Sequence, residues 1–173
     1  MCSSDLGYPL QEFEKLQEIQ LPDIDLYMDQ VLTILESQMD SYKLHDDEKV
    51  MTKTMINNYV KSRLIEKPVK KKYGKEQLMQ LIMIYHMKNI MNFADLEVFF
   101  QRVIKEDQKG IGLLYEDFVQ IHDNMLDDFI SKEKQLSELE GNDKIKELLK
   151  IIITADLNKR VAERVLREMR GKE

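Results

Sequence analysis

The sequence predicts an all-α fold with one short β wing, and three observations support this prediction. Six glycines and three prolines among 173 residues are too few for a loop-rich β architecture. Apolar residues recur every three to four positions over several stretches, which is the period of an amphipathic helix. Between residues 64 and 75, Pro68 excludes a helix, and residues 69–73 can form a short strand or hairpin arm.

The first part of the chain divides into three predicted helices. A short helix is predicted over residues 9–19. Asp23 is a candidate N-cap for a second helix, 23–40, and Thr52 is a candidate N-cap for a third helix that ends near residue 61. The apolar stripe of the second helix consists of Ile24, Tyr27, Met28, Val31, Leu35 and Met39. The buried face of the third consists of Met55, Ile56, Tyr59 and Val60.

Four further helices are predicted after the hairpin arm, over residues 75–90, 93–105, 113–139 and 143–170. Glycines interrupt the pattern before each of the last two, which are long and carry apolar stripes with charged flanks. We therefore expect a short N-terminal helix within 1–20, a head over 21–106, and a C-terminal helical region over 107–173.

Net positive charge is concentrated in one segment of the chain. Residues 52–75 carry eight basic side chains and one acidic side chain, although the whole chain has a net charge of −6. A local basic patch of this kind is the electrostatic signature of a surface that binds nucleic acid.

The residue types within this basic segment indicate double-stranded DNA as the partner. One face of the helix over 52–62 carries amide, hydroxyl and lysine side chains, which contact base edges and phosphates. The basic arm over 67–75 follows directly. A polar recognition helix followed by such an arm is the layout of a winged helix-turn-helix, with the helix in the major groove and the arm on the phosphate backbone. The predicted contacts are Lys53, Asn57 and Asn58 to bases, Lys61, Lys70, Lys71, Lys72, Tyr73 and Lys75 to phosphates, and Thr54 on the same face.

These segments resemble a known family. The winged-helix head of MerR-type regulators is similar to the stretch 52–65 with its wing at 68–73. More closely, LPDIDLYMDQV (21–31) and KTMINNYVK (53–61) resemble a bacterial family, mostly from Firmicutes, known as domain of unknown function 1836. The resemblance covers residues 20–105 well and implies a DNA-binding fold, but it implies no established function.

The chain departs from the MerR-type pattern at the end of the recognition helix. Arg63 stands where that pattern places a glycine, and Asn57 where it places an arginine. A residue other than glycine in a left-handed helix cap costs on the order of 1 kcal/mol. Either the helix ends differently here, or Arg63 adopts the left-handed conformation at that cost.

Several alternatives remain open at this stage. The basic segment could be a solvated charge run, or it could bind RNA, an acidic protein or an anionic membrane surface. The head could also serve a helical protein-interaction module without DNA binding. The C-terminal helices could form a homodimer, which we expect, or an intramolecular pair. Arg160, Arg164, Arg167 and Arg170 fit either phosphate contacts or a helix C-terminus.

Other function classes lack a supporting pattern. No cofactor or metal is expected, because the three histidines lack ligand spacing and the ladder Met79, Met83, Met87 and Met91 suits core packing. No nucleophile or phosphate-loop motif indicates an enzyme. The single cysteine, Cys2, excludes an intrachain disulfide. No apolar run approaches the roughly 20 residues of a membrane span, so we expect a cytoplasmic protein.

Overall fold

The computed structural model describes residues 13–43, 45, 47–106 and 110–171, without the side chains of 103–106. Helices dominate, and a two-stranded sheet is the β structure of the described residues, which confirms the all-α prediction. Short 3-10 helices span Leu16–Glu18 and Asp40–Tyr42. The remaining elements are β1 (Leu26–Tyr27), α1 (Met28–Gln38), α2 (Lys53–Lys61), β2 (Lys72–Tyr73), α3 (Lys75–Met87), α4 (Phe93–Glu106), α5 (Ile111–Ser137) and α6 (Gly141–Arg170).

The small sheet joins the start of α1 to the hairpin arm. Strands β1 and β2 are antiparallel, with Leu26 opposite Tyr73 and Tyr27 opposite Lys72. Side chains alternate across a strand, so Leu26 and Tyr73 are buried in the core. On the other face, the Lys72 ammonium lies 5.0 Å from the ring centroid of Tyr27, within cation–π range.

Helix α3 lies at the centre of the core. Its residues Leu78 and 80–85 are buried, so it contacts neighbouring elements on nearly all sides. The buried Gln80 donates its Nε2 hydrogen to the carbonyl of Leu64 at 2.7 Å, which satisfies a polar group that would otherwise destabilise the core. Val31, Leu35, Ile56 and Phe100 bring α1, α2 and α4 into the same core.

The N-terminal helices differ from the predicted ones. The predicted helix over 9–19 is wrong for residues 13–19, because the structure has only the 3-10 turn Leu16–Glu18 there; its first part lies outside the described residues. Helix α1 begins at Met28 instead of Asp23, because residues 26–27 pair with β2 as a strand. The backbone N–H of Tyr27 then donates to Gln30 Oε1 at 2.9 Å. Consequently Ile24 and Tyr27 of the predicted stripe are exposed.

The long C-terminal helices extend beyond the core. The first part of α5 belongs to it through Ile111 and Tyr115, so the core continues across the predicted boundary at 106/107. Among the described residues of α6, only Leu166 is buried. It lies close to the C-terminal end of α6, which packs against α4. There Arg170 forms an ion pair with Asp95 at 2.7 Å. Aliphatic side chains elsewhere on α6 are exposed: Ile145, Leu148, Leu149, Ile151, Ile152, Ile153, Leu157, Val161 and Val165.

Histidines from α3 and α5 meet beside Tyr42, the last residue of the second 3-10 helix. The ring centroids of His86 and His122 are 5.0 Å apart, and the Tyr42 ring centroid lies 4.8 Å from that of His86. The Nε2 atom of His86 is buried and has no hydrogen-bond partner among the described residues. Burial, together with His122, lowers the pKa of His86 to about 4 from its ordinary 6.5.

His86 therefore makes folding stability sensitive to acid. Between pH 6.5 and 4 the unfolded chain binds a proton at this histidine that the folded protein does not, so stability falls as the pH falls. We expect His86→Leu to flatten the dependence of the unfolding midpoint on pH in this window. Thermal unfolding followed by circular dichroism measures it, with the exposed His45→Leu as the control. An unchanged pH profile for His86→Leu would contradict the assignment.

Candidate nucleic-acid interface

The outer face of α2 presents the side chains that the sequence selects. Thr52 caps the helix by accepting the backbone N–H of Met55 on its Oγ1 at 3.2 Å, so the predicted N-cap is confirmed. Ile56 and Tyr59 point into the core, and Met55 and Val60 are partly buried. This orientation leaves five polar residues exposed on one side of the helix: Lys53, Thr54, Asn57, Asn58 and Lys61.

The end of α2 is a Schellman motif with arginine in the left-handed position. Arg63 has a φ of 64°, its N–H donates to the Val60 carbonyl at 3.2 Å, and the N–H of Leu64 donates to the Tyr59 carbonyl at 2.9 Å. Leu64 and Tyr59 are both buried, which supplies the apolar contact typical of this motif. Of the two alternatives for Arg63, the structure has the left-handed one.

The hairpin arm turns through two further left-handed residues. The N–H of Lys72 donates to the Val69 carbonyl at 2.9 Å, and these two residues form an antiparallel bridge. The two residues between them, Lys70 and Lys71, have φ values of 50° and 65°. Positive φ at both central positions is the geometry of a type I′ turn, which usually contains Asn-Gly. Lysines therefore occupy strained positions at the exposed tip of the arm.

Every residue other than glycine with positive φ in the described chain is basic and lies between positions 63 and 71. Each costs about 1 kcal/mol relative to glycine at the same position. Backbone strain that persists in a fold is concentrated at functional sites. The three strained residues therefore mark this basic segment as a candidate functional site.

The positive charges of this surface lack partners within the described residues. Lys53, Lys61, Arg63, Lys70 and Lys71 form no ion pair there, although many basic side chains elsewhere do. The side-chain amides of Asn57 and Asn58 likewise make no hydrogen bond to the described residues. Unpaired charge next to unpaired amides is the arrangement needed to contact an external anionic ligand.

Three of the predicted contact residues lie in different surroundings. Tyr73 is 3 % exposed and belongs to the core, where burial raises the pKa of its hydroxyl, so it is not placed for the predicted phosphate contact. Lys72 is half-buried and lies over the Tyr27 ring, and Lys75 forms an ion pair with Asp23. The exposed, unpaired members of the predicted set are therefore the five residues of α2 together with Lys70 and Lys71.

Arg63 is the residue that the sequence prediction left out of the site. A signal for it exists in the pattern around the helix end, because apolar residues at 59 and 64 are spaced as the Schellman motif requires. The prediction treated Arg63 only as a departure from a glycine position. In the structure it lies exposed between α2 and the arm, so it joins the same basic surface.

Two other candidate sites from the sequence have structural explanations. Met83 is buried, and Met79, Met87 and Met91 pack against the core, which confirms the prediction that the methionine ladder is core. Across the part of the chain that the structure describes, no group of His, Cys, Asp and Glu could hold a metal ion. Arg160 forms an ion pair with Asp156 within α6, and Arg170 forms one with Asp95 of α4, which agrees better with structural roles than with phosphate contacts.

The fold and this surface define a mostly helical protein with an exposed basic face on a short helix and its following hairpin turn. A comparison with protein families then identifies the family to which the chain belongs. The chain belongs to the family described as a domain of unknown function (DUF1836), whose model matches residues 16–118. The match runs from the first 3-10 helix into the first third of α5 and so includes the whole candidate interface. No curated protein and no solved structure matches the chain.

No helix within the described ranges is long and apolar enough to cross a membrane.

The strain at Arg63 predicts a stabilising substitution. We expect Arg63→Gly to raise the free energy of unfolding by about 1 kcal/mol, because glycine adopts the left-handed conformation without a steric penalty. Urea unfolding measures it. Lys61→Gly is the matched control: it removes the same charge two residues earlier, at the last residue of α2, and should destabilise by up to about 1 kcal/mol. A loss of stability in Arg63→Gly equal to that of the control would contradict the role of strain.

Proposed function

We propose that the protein is a DNA-binding transcriptional regulator with a MerR-like winged helix-turn-helix head. In this proposal α2 enters the major groove of double-stranded DNA and the hairpin arm lies on the phosphate backbone. The observation that carries it is the set of unpaired basic residues held in left-handed conformations beside the amide face of α2. The order of two helices followed by a basic hairpin also fits a winged helix-turn-helix.

The dimensions of α2 suit the proposed placement. From Lys53 to Lys61 the helix rises about 12 Å at about 1.5 Å per residue. A helix with its side chains is roughly 10–12 Å across, and the major groove is about 12 Å wide. Lys53 lies in the first turn of α2, which contains no acidic residue, so the partial positive charge of the helix N-terminus adds to its own.

The residues of the surface divide into two roles. Asn57 and Asn58 present amides, which pair bidentately with adenine, and Lys53 lies on the same face for a contact to guanine. Lys61, Arg63, Lys70 and Lys71 contact phosphates, which position the protein without selecting a sequence. Lys72 and Lys75 flank these contacts and contribute to the positive electrostatic potential of the surface.

The proposed regulator is a homodimer through its C-terminal helices and acts in the cytoplasm. The exposed aliphatic side chains of α6 support dimerisation, since α6 neither buries them against α5 nor against the core among the described residues. Large exposed apolar surfaces on a folded chain mark interaction sites. Two-fold symmetric dimers are also the usual form in which helix-turn-helix proteins bind paired half-sites.

A helical protein-interaction module without DNA binding is the second candidate. One observation favours it: α5 and α6 expose many large apolar side chains, and exposed apolar surface of this kind marks protein interaction sites. It differs from the first proposal in a simple way, because such a module does not bind duplex DNA even at low salt.

Neutralising the arm tests the proposed phosphate contacts. We expect Lys70→Gln together with Lys71→Gln to weaken binding to all duplexes and to reduce the salt dependence of log K by about 1.8, or about 0.9 per lost contact. Fluorescence anisotropy with a duplex at about 50 and about 200 mM salt measures both quantities. The control removes two exposed lysines of α6, Lys144→Gln with Lys146→Gln, and should leave binding unchanged.

Two outcomes overturn the DNA proposal. One is the absence of binding by the unaltered protein at the lower salt, which would favour the interaction module. The other is an equal loss of affinity in the arm variant and in the α6 control, which would mean that net charge alone determines binding.

Asn57 tests the assignment of base contacts. We expect Asn57→Ala to relax the preference between a selected and a scrambled duplex by about 1–3 kcal/mol while leaving the salt dependence unchanged. The selected duplex comes from repeated rounds of binding to a random library. If Asn57→Ala and the arm variant change the two quantities in the same way, the division of roles is wrong.

A charge placed on the apolar face of α6 tests the proposed dimer. We expect Ile152→Glu, at an exposed position in the middle of that face, to shift the protein from dimer to monomer, because it places a charge in the apolar contact. Sedimentation equilibrium measures the mass. Lys150→Glu is the control on the same helix, because this exposed lysine lies on the side of α6 opposite Ile152, and it should remain dimeric. A monomeric unaltered protein at every accessible concentration would overturn the dimer.

A further inference from the structure

The middle of α6 is exposed on every side in the described part of the chain. Residues 148–161 are all exposed, which is about four turns of helix. Seven of them are large and apolar: Leu148, Leu149, Ile151, Ile152, Ile153, Leu157 and Val161. Helices in proteins gain most of their stability from packing, and exposed apolar surface of this extent marks an interaction site.

The apolar surface of α6 is wide. The consecutive residues Ile151, Ile152 and Ile153 are all exposed and point about 100° apart, so together they span about 200° of the helix circumference. The apolar stripe of an amphipathic helix is usually about 100° wide or somewhat more. A partner that fits this surface therefore supplies more than one helix.

Helix α5 exposes a second apolar surface. Ile121 and Met125 lie one turn apart on the same side of α5, and both are exposed. Another side of α5 is occupied by the core of the same chain, in which Tyr115 is buried. Because α5 does not cover residues 148–161 of its own chain, the apolar surfaces of both helices are free to contact another molecule.

The two long helices carry opposite net charges. Helix α5 has six acidic and two basic side chains, a net charge of −4, whereas α6 has five acidic and eight basic ones, a net charge of +3. Two α6 helices that face only each other therefore repel, and α6 attracts α5. Charge complementarity favours a contact between α6 of one molecule and α5 of another.

A second copy of this chain meets both requirements, because it supplies two long helices and one of them is acidic. We propose that α5 and α6 of two copies form a four-helix bundle in which each α6 packs between the α5 and the α6 of the other copy. Two-fold symmetry repeats each contact, so the attraction between α5 and α6 acts twice and offsets the repulsion between the two α6 helices. This arrangement rests on the homodimer proposed above and specifies which helices meet.

A charge change on the exposed side of α5 separates this arrangement from a dimer through α6 alone. Asn124 and Asp128 are exposed, and they lie three residues after Ile121 and Met125. We expect Asn124→Lys together with Asp128→Lys to raise the dimer dissociation constant about tenfold, because most of the negative charge that faces α6 is lost. Sedimentation equilibrium of the full-length protein measures it, and circular dichroism verifies that the helices are retained.

Glu116→Lys is the control for the α5 variant. Glu116 is exposed on the side of α5 opposite Met125, so this variant should dimerise as the unaltered protein does. Full dimerisation of the α5 variant would overturn the contact between α5 and α6 but leave a dimer through α6. A monomeric unaltered protein at every accessible concentration would overturn the homodimer as well and would leave the two apolar surfaces for a different protein.

A variant of α6 gives opposite results for the two kinds of dimer. Lys159 and Arg167 are exposed on the side of Ile152 and form no ion pair with the described residues. We expect Lys159→Glu together with Arg167→Glu to weaken the dimer, because the acidic α5 then faces a helix that is no longer basic. In a dimer through α6 alone, the same change reduces the repulsion between the two α6 helices, so tighter association of this variant would overturn the four-helix arrangement.

Discussion

The burial of α3 on nearly every side is the constraint on which the rest of the structure depends. A helix with this burial needs a neighbour on each face, and α1, α2, α4 and the first part of α5 provide them. Its polar side chains also position the functional segment. Gln80 donates to the Leu64 carbonyl and Gln77 to the Glu66 carbonyl at 2.9 Å, so the first half of the link after α2 is attached to the central helix at two points. The basic surface is therefore carried by a rigid core even though its residues lie at a helix end and a turn.

The candidate interface combines strained backbone with well-packed neighbours. Arg63 adopts a left-handed conformation between Tyr59 and Leu64, which are both buried, so the apolar contact of the Schellman motif offsets the strain. At the hairpin tip, Lys70 and Lys71 lie between Val69 and the strand that contains the buried Tyr73. In both places a buried aromatic residue maintains the conformation, and the basic side chains remain in solvent. This separation of roles explains why Tyr73 belongs to the core although it follows three lysines in the sequence.

The sequence predicts the elements whose signals are local. Thr52 as an N-cap, the buried pair Ile56 and Tyr59, and the apolar face of α3 all follow from the helical period and capping chemistry within one segment. The start of α1 does not follow, because residues 26–27 become a strand only through pairing with residues 72–73, far away in the chain. The left-handed lysines do not follow either, since a type I′ turn is usually recognised by Asn-Gly. Most residues of the candidate site were thus predictable, but the membership of Arg63, the burial of Tyr73 and the left-handed turn at Lys70 and Lys71 were not.

The unpaired charges of the basic surface and the exposed apolar residues of α6 differ in their effect on the stability of the fold. Charges on the surface of α2 and the arm are solvated, so the head can fold without a partner. Helix α6 is in a different position, because helices in proteins gain most of their stability from tertiary packing of an apolar face. Over 30 residues α6 has only Leu166 buried in the described part of the chain, and its aliphatic side chains are exposed to water. Covering this face therefore contributes to the stability of α6 itself, whereas contact with an anionic ligand contributes only to function. The family match, which ends at residue 118, covers the part of the chain that contains most of the core and leaves α6 outside.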